Sequence, residues 1–444
     1  MPIDFYDIYH PAVSIPIETA VKMGQSCIPA QIPLLPDSLI YKNPPPSFRE
    51  VAFETARLFF SDVIPDTDLY TLIAESFPFK VPVFPIDPRT YILELTHGNS
   101  GSCTDFGARF TAQLTAYFRN GNENPVHILF SGQERQTLSL AKAFTEHEQF
   151  HCTFLFPKGS FTAAAEQQLL ALPQHIHTFA VEGTLDDCER MIQAAQANER
   201  IQSALEVFIP HESSAAYLLA YTFCCIYASL AVLSRSSYDN SIEMPRLIMG
   251  FPLPYPAGIA AAVLAQKMNA PIAGFMTAAD ASLSSPQTQR GYEQLTTILD
   301  GINPTAALVS SRLTQQDILE AMRTCNDRTG VIIGPEAGGI WHIWNTVKSG
   351  ANASGLRCSD ILTARGGNDS ALPPWVSNHD SSRSCISIIA ETSHPALHTD
   401  TVKAAIGREP LMPYRFEYNP QYLRQPVSMQ ASADALAHWL LSLV

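Results

Sequence analysis

The sequence predicts an α/β protein in which two three-layer α/β domains follow a helical N-terminal region. The main observation is that apolar strand candidates alternate with helix candidates from Thr90 onward. Such alternation indicates mostly parallel sheets covered by helices on both faces. The composition agrees, because 46% of the residues are hydrophobic and only 16% are charged, as in folded chains. A length of 444 residues suits two or three packed domains.

Three regions are expected along the chain. Residues 1–88 are rich in proline and favour helix, and the run from Pro44 to Ser47 predicts a loop that leads into a capped helix. Residues 89–205 are expected to form the first α/β domain. Residues 206–444 are expected to form a larger one with a C-terminal helix.

The strand and helix candidates follow from runs of apolar and β-branched residues between turn signals. Strands are predicted at residues 91–95, 126–130, 152–156, 176–181, 246–249, 271–277, 331–333 and 386–390, and helices at 107–118, 137–144 and 257–268. The stretch from Ser214 to Ser234 carries no charge and is long enough to span a bilayer. Polar tyrosine, serine and cysteine residues are spread through it, and its flanks show no basic asymmetry, so we predict a buried core helix.

Charge and cysteine usage exclude several classes of function. The formal net charge is −14 and no lysine or arginine run interrupts it, which argues against a nucleic-acid partner. The nine cysteines form no C-x-x-C pair, and the histidines have no zinc-ligand spacing, so reduced thiols and no metal site are expected. The N-terminus has no signal-peptide pattern, and a cytoplasmic location is expected.

Five stretches, in the same order and at plausible spacing, resemble threonine synthase. They cover roughly residues 10 to 405. They are Leu93–Gly98 with Asp105–Phe110, Phe156–Gly159, Val181–Cys188, Ala265–Pro271 and Glu391–Ala396. The resemblance implies the tryptophan-synthase-β-like fold, which is pyridoxal-phosphate fold type II. Fold alone does not carry function, so the site needs a separate argument.

The cofactor lysine of that family is missing here. Enzymes of this kind hold pyridoxal phosphate as a Schiff base on a lysine, in the family motif F-K-D-F-G-A-R-F. This chain has Thr104 at the lysine position, directly after Cys103. A threonine hydroxyl cannot form an imine. Among the eight lysines, Lys158 at a strand end is the one candidate substitute, although an exposed turn lysine is the expected structural role.

The family's phosphate loop is also altered. Its S-G-N-F-G loop uses backbone N–H groups at a helix N-terminus to hold the anion. The aligned residues here are Leu253, Pro254, Tyr255, Pro256 and Ala257. Both glycines are gone, and proline has no N–H to donate.

Three further family segments are partly kept. Thr392 matches a position that can bond the cofactor's pyridine nitrogen. The S-G-D-T-G loop near the substrate corresponds to Ser131–Arg135, where Glu134 and Arg135 have opposite effects on an anion. The D-P-H-T-A-V-G stretch corresponds to a turn containing Glu336, without the family's aspartate and histidine.

Two functions are therefore weighed. The first is a catalytically inactive, threonine-synthase-like protein with no expected cofactor, retained to bind a small anionic metabolite or a related enzyme. The second is a divergent pyridoxal-phosphate-dependent threonine synthase, a carbon–oxygen lyase acting on O-phospho-L-homoserine.

Cys103 is expected to be a buried thiol rather than a nucleophile. The phosphate end of the cleft is expected to be filled by Phe251, Leu253 and Tyr255, and its substrate end to be open. The ligand candidates are Asn99, Ser100, Thr104, Arg109, Ser131, Arg135 and Thr392.

Overall fold

A computed structural model gives the architecture of the chain. It describes residues 3–120, 125–236, 245–280, 297–298, 302, 307–348, 361–363, 385–416 and 427–443. The described strands form three sheets, with helices packed between and around them.

A small antiparallel sheet opens the chain, which corrects the expectation of a purely helical N-terminal region. Its strands are β1 (Asp4–Asp7), β2 (His10–Pro16) and β3 (Cys27–Pro29), in the order β2-β1-β3. The strands are short and β3 has only three residues, so their period-2 pattern is too brief to detect from sequence. One helix lies between β2 and β3, at residues 17–23, and others follow β3. Among these is the predicted capped helix, in which Ser47 accepts from the Glu50 N–H.

The largest sheet has seven described strands in the order β13-β12-β11-β10-β14-β5-β4. Its central pairs are parallel and its two edge pairs, β13 with β12 and β4 with β5, are antiparallel. The strands are β4 (Val83–Asp87), β5 (Thr90–Glu94), β10 (Arg246–Gly250), β11 (Ile272–Asp280), β12 (Ala307–Leu313), β13 (Ile361–Thr363) and β14 (Cys385–Glu391).

A second, parallel sheet has the order β15-β8-β7-β6-β9. Its strands are β6 (Val126–Ser131), β7 (His151–Pro157), β8 (Ile176–Glu182), β9 (Glu206–Phe208) and β15 (Val427–Gln430). The two large sheets interleave along the chain, since β5 pairs with β14 and β15 pairs with β8. The expected domain limits at 88 and 205 remain predictions.

The described α-helices cover and connect these sheets. They are α1 (Ile17–Met23), α2 (Asp37–Ile40), α3 (Phe48–Phe60), α4 (Asp66–Ser76), α5 (Thr104–Phe118), α6 (Glu134–Ala143), α7 (Ala163–Leu170), α8 (Leu185–Gln196), α9 (Glu199–Ala204), α10 (Ala215–Ser236), α11 (Pro256–Lys267), α12 (Gln315–Thr329), α13 (Pro335–Lys348), α14 (Thr399–Ile406) and α15 (Ala433–Leu441).

Helix α10 is the central core helix. In the part of the chain that the structure describes, it alone is long and apolar enough to cross a membrane, yet 89% of its apolar window is buried inside the protein. It packs against α3, α5 and α11. The prediction of a core helix is therefore confirmed.

The strand predicted at residues 331–333 is wrong. These residues form a loop, because Gly330 ends α12 in a left-handed conformation and Pro335 already begins α13. Held between two helix ends, this segment pairs with no described strand. Ile333 instead packs into the hydrophobic cluster beneath α13.

The cysteine prediction agrees with the described structure. The eight described cysteines are buried and form no disulfide, and Cys358 lies outside the described residues. Burial raises the pKa of the Cys103 thiol well above its usual range. That thiol is therefore protonated at neutral pH and is a poor nucleophile.

Candidate functional site

Thr104 is the first residue of α5 and is completely buried. Its Oγ1 lies 2.5 Å from the Oγ of Ser139 on α6 and 3.5 Å from the backbone oxygen of Arg135. The hydroxyl at the family's lysine position is therefore already used in internal hydrogen bonds.

These bonds belong to a buried group, here called the hydroxyl cluster, made of Ser100, Thr104, Asp105 and Ser139. Ser100 Oγ lies 2.8 Å from Ser139 Oγ, and the Ser100 N–H donates to Asp105 Oδ2 at 2.9 Å. Burial raises the pKa of Asp105, although the hydrogen bonds from Ser100 act in the opposite direction. Each member satisfies another, as buried polar groups generally require. The cluster joins the start of α5 to α6.

Lys142 borders this cluster. It lies three residues after Ser139 on α6, and its Nζ donates to the Asn99 carbonyl at 2.8 Å and to Gln168 Oε1 at 2.7 Å. Burial lowers its pKa to about 8, with Asp105 opposing the shift. Sequence reasoning treated Lys142 as an ordinary helix lysine. The signal that was available is the helical spacing from Ser139, which becomes informative once α6 is known to face Thr104.

Lys158, the substitute considered from sequence, is exposed. Its side chain is 59% accessible and pairs with Glu182 at 3.3 Å. It lies in the turn after β7, and its surroundings are those of a surface lysine.

The backbone of residues 251–258, which include the residues aligned with the family's phosphate loop, forms internal hydrogen bonds. The N–H groups of Phe251 and Leu253 donate to carbonyls of β11, at 3.1 and 3.0 Å. Those of Tyr255 and Gly258 donate within the turn itself, to Pro252 and Tyr255. Residues 252, 254 and 256 are prolines, so Ala257 is the one amide of residues 251–258 without an assigned acceptor.

Bulky side chains occupy the same place. Phe251, Leu253 and Tyr255 are 0%, 1% and 8% exposed. A Cβ built on Gly258 would lie 2.3 Å from the Phe251 ring, so this ring rests directly on the first turn of α11. An anion at this helix N-terminus would have to displace the ring.

Thr392 is also engaged. Its hydroxyl donates to Glu336 Oε2 at 2.5 Å, and Ser393 donates to the same oxygen at 2.8 Å. Ser393 in turn lies 2.7 Å from His398 Nε2. Glu336 lies in the first turn of α13. Its carboxylate therefore accepts from the Thr392 hydroxyl, which the resemblance assigns to a hydrogen bond with the cofactor ring.

The two arginine candidates lie in different surroundings. Arg109 donates to the carbonyls of Ser76 and Glu75 at 2.9 and 2.7 Å, where it caps the C-terminal end of α4. It is not brought to the cluster. Arg135 lies near the cluster, but its guanidinium pairs with Glu134 at 2.9 Å. Asn99 is exposed, and Ser131 is half-buried at the end of β6.

A cavity of about 730 Å³ lies beside these elements. Ser131, Gly132, Pro254 and Pro256 line it together with Glu212, which precedes α10. Burial raises the pKa of Glu212 to about 8. Sequence reasoning missed Glu212, although a lone acid at the start of a 21-residue uncharged stretch was a usable signal.

Comparison with curated sequences finds threonine synthases. That of Buchnera aphidicola is 24% identical over 274 residues, which cover 60% of this chain and 62% of that protein. That of Escherichia coli is 25% identical over 229 residues, 52% of this chain and 51% of that protein. The match thus spans less than two thirds of the length of these relatives. No family model matches the chain.

Comparison with solved structures covers almost the whole chain. Threonine synthase from Escherichia coli aligns with a TM-score of 0.73 and 19% identity, over 99% of this chain and 100% of that one. Threonine synthase from Brucella melitensis with bound pyridoxal phosphate aligns with a TM-score of 0.76 and 15% identity, over 99% of this chain and 98% of that one. At these identities the alignments establish the fold, which is pyridoxal-phosphate fold type II.

Proposed function

Starting from the fold and sequence features that this chain shares with the threonine synthases, we propose that it is a non-catalytic relative of them, retained to bind a ligand or a partner. One observation carries the proposal. The buried Thr104 hydroxyl stands where the resemblance requires a lysine amine, and it is hydrogen-bonded to Ser139. No amine is present at that position to hold an aldehyde cofactor.

The other surroundings of the expected cofactor support the same conclusion. The phosphate end has Pro254 and Pro256 in place of N–H donors, with Phe251 packed on the helix start. The ring end has Thr392 bonded to Glu336. The residues present therefore do not fit pyridoxal phosphate, and we derive no reaction step through it. Loss at three separate contacts favours a change of role over tuning of one activity.

An absorbance titration tests the proposal. Adding pyridoxal phosphate to the purified protein is expected to leave the spectrum of the free cofactor unchanged, without the yellow band of a protein Schiff base. A saturable band at one equivalent of cofactor would overturn the proposal.

The alternative is a divergent threonine synthase that converts O-phospho-L-homoserine to L-threonine with a different lysine. Lys142 is the observation that favours it, because its amine borders the hydroxyl cluster and has a lowered pKa. Two acceptors already hold that amine, and it lies on α6 instead of α5. Loss of a Schiff-base band in Lys142→Met, with retention in Lys158→Met, would establish this alternative.

The proposal includes the binding of a partner, either a protein or a small molecule. A related enzyme or a small metabolite, met in the cytoplasm, suits a protein that keeps the fold without the chemistry. The two arginines that suggested an anion are now accounted for by the carbonyls of α4 and by Glu134.

A further inference from the structure

The cavity of about 730 Å³ lies at the carboxyl end of β6, where the resemblance implies the substrate end of the cleft. Its volume is within the range of small-molecule sites, and parallel sheets bind ligands at such strand ends. Four segments meet there: the loop after β6, the helix α8, the residues that precede α10, and the turn with Pro254 and Pro256.

The chemistry of this wall differs from that of a phosphate site. Its described lining contains the carboxyl groups of Glu189 and Glu212 and no lysine or arginine. Pro254 and Pro256 offer no N–H groups where the family resemblance places a phosphate loop. Four side-chain amides add polarity, those of Gln133, Gln136, Gln193 and Gln196, and the other polar lining residues are Tyr9, Ser131, His211 and Thr297. A wall of acids and amides disfavours an anion and suits a ligand that brings positive charge and hydrogen-bond donors.

Glu212 is the group that such a ligand would meet. One carboxyl oxygen accepts from Gln136 Nε2, and the other, Oε1, is buried without a hydrogen-bond partner among the described residues. A buried acceptor without a partner is uncommon in folded proteins and needs a specific explanation.

Among the residues that the structure describes, the titratable groups around Glu212 supply no positive charge at neutral pH. Burial lowers the pKa of His211, so its imidazole is neutral. One thiol and three phenols also lie near it, and burial raises the pKa of each well above its usual range: Cys103, Tyr217, Tyr221 and Tyr255. The Glu189 carboxyl group and the Tyr9 phenol line the same cavity.

We propose that this cavity binds a small organic ammonium compound, with Glu212 accepting from the ammonium group and the glutamine amides bonding its other polar atoms. This inference rests on the proposed function in one respect, that the old cleft is retained for a ligand. It replaces the anionic metabolite expected from sequence with a cation, because the described wall offers carboxyl and amide groups and no lysine or arginine.

Binding should be coupled to a proton. Burial raises the pKa of Glu212 to about 8, so the carboxyl group of the empty protein is mostly protonated at pH 7. A neighbouring ammonium ion favours the ionised carboxylate. Glu212 therefore releases its proton to solvent when the ligand binds. The positive charge of the ligand then neutralises the negative charge of the carboxylate.

Isothermal titration calorimetry with 1,5-diaminopentane as the probe tests this inference. Titrations at pH 7 and physiological salt, in two non-amine buffers of different ionisation enthalpy, give the number of protons released. We expect saturable binding with release of close to one proton. Glu212→Gln should weaken binding at least about tenfold, since hydrogen bonds to charged groups are the strong ones. Glu148→Gln, an exposed acid on the α6–β7 connection, should leave binding unchanged.

Four results would overturn the inference. They are no binding of the diamine, binding without proton release, equal binding by Glu212→Gln, and tighter binding of inorganic phosphate than of the diamine. The proton count is measured on the unmodified protein, so it decides the matter even where the variant fails to fold. The absorbance titration is independent: failure of the diamine without a Schiff-base band leaves the non-catalytic role standing and removes only the ligand class.

Discussion

At the scale of single residues, the central feature is that Thr104 has become part of the protein's packing. Its hydroxyl is buried and bonded to Ser139, and Ser100 extends the chain of bonds to Asp105. The identity of residue 104 could be read from the sequence, since flanking motif residues fix the alignment. The hydrogen-bond partners of its hydroxyl could not be read from the sequence, because Ser139 lies 35 residues away on another helix.

We expect Thr104→Val to lower the free energy of unfolding by about 1 to 2 kcal/mol, because a buried partner loses its hydrogen bond. Thr111→Val on the same helix is the matched control, since the buried Thr111 hydroxyl has no partner. That change should be within about 0.5 kcal/mol of neutral, or stabilising. Urea unfolding of both variants makes the measurement. Equal effects at the two positions would contradict the hydroxyl cluster.

Glu212 gives a prediction for the pH dependence of stability. Its pKa is about 8 when folded and near the usual 4.5 when unfolded. Between these values the folded state holds a proton that the unfolded state has lost, so stability falls as pH rises through this interval. Glu212→Gln should remove that loss. From pH 5 to pH 8 the wild type should lose on the order of 3 kcal/mol more than the variant. Parallel curves for the two proteins would mean that Glu212 is an ordinary solvated acid.

At the scale of secondary-structure elements, the turn before α11 gives the reason to expect that one substitution would not be enough for threonine synthesis. Four of its N–H groups donate inside the protein and three of its residues are prolines. The prolines could be read from sequence, and they suffice to predict a damaged phosphate loop. The bonds to β11 and the packing of Phe251 on Gly258 need the fold, because they join separate elements.

We therefore expect Thr104→Lys to form no measurable threonine from O-phospho-L-homoserine with added pyridoxal phosphate. The new amine supplies one missing contact, whereas the phosphate still meets prolines and the Phe251 ring. An assay of threonine by amino-acid analysis makes the test, with Escherichia coli threonine synthase as the positive control. Substantial turnover by the single variant would show that our interpretation of this turn is wrong.

The errors in predicting elements have physical causes. Val331–Ile333 has strand-forming residues, but it is held between the ends of two helices and pairs with no described strand. The N-terminal strands β1 and β2 form a short local hairpin, whereas β3 pairs with β1 across a longer separation, Phe5 with Pro29, which no local pattern records. Longer elements with clear periodicity, such as α5 and β6, were predicted within a few residues of their limits.

At the scale of the whole molecule, the order of short motifs was sufficient to predict the fold. The alignment over 99% of the chain with two threonine synthase structures confirms it. Chain order did not reveal how the sheets interleave, because strand β5 pairs with β14 almost 300 residues later. The cavity was equally hidden, since its wall combines β6, α8, the start of α10 and the proline turn. The short sequence motifs thus indicate the family that the chain resembles. The lining of the cavity depends instead on contacts between segments that are far apart in the chain.

The most direct test of the central claim is chemical trapping. The protein is incubated with one equivalent of pyridoxal phosphate, reduced with borohydride, and its peptides are mapped by mass spectrometry, with Escherichia coli threonine synthase treated in parallel. The non-catalytic account predicts a stoichiometric pyridoxyl group on one lysine of the control enzyme and only scattered, substoichiometric labelling here. A stoichiometric pyridoxyl group on a single lysine of this chain, Lys142 above all, would contradict it.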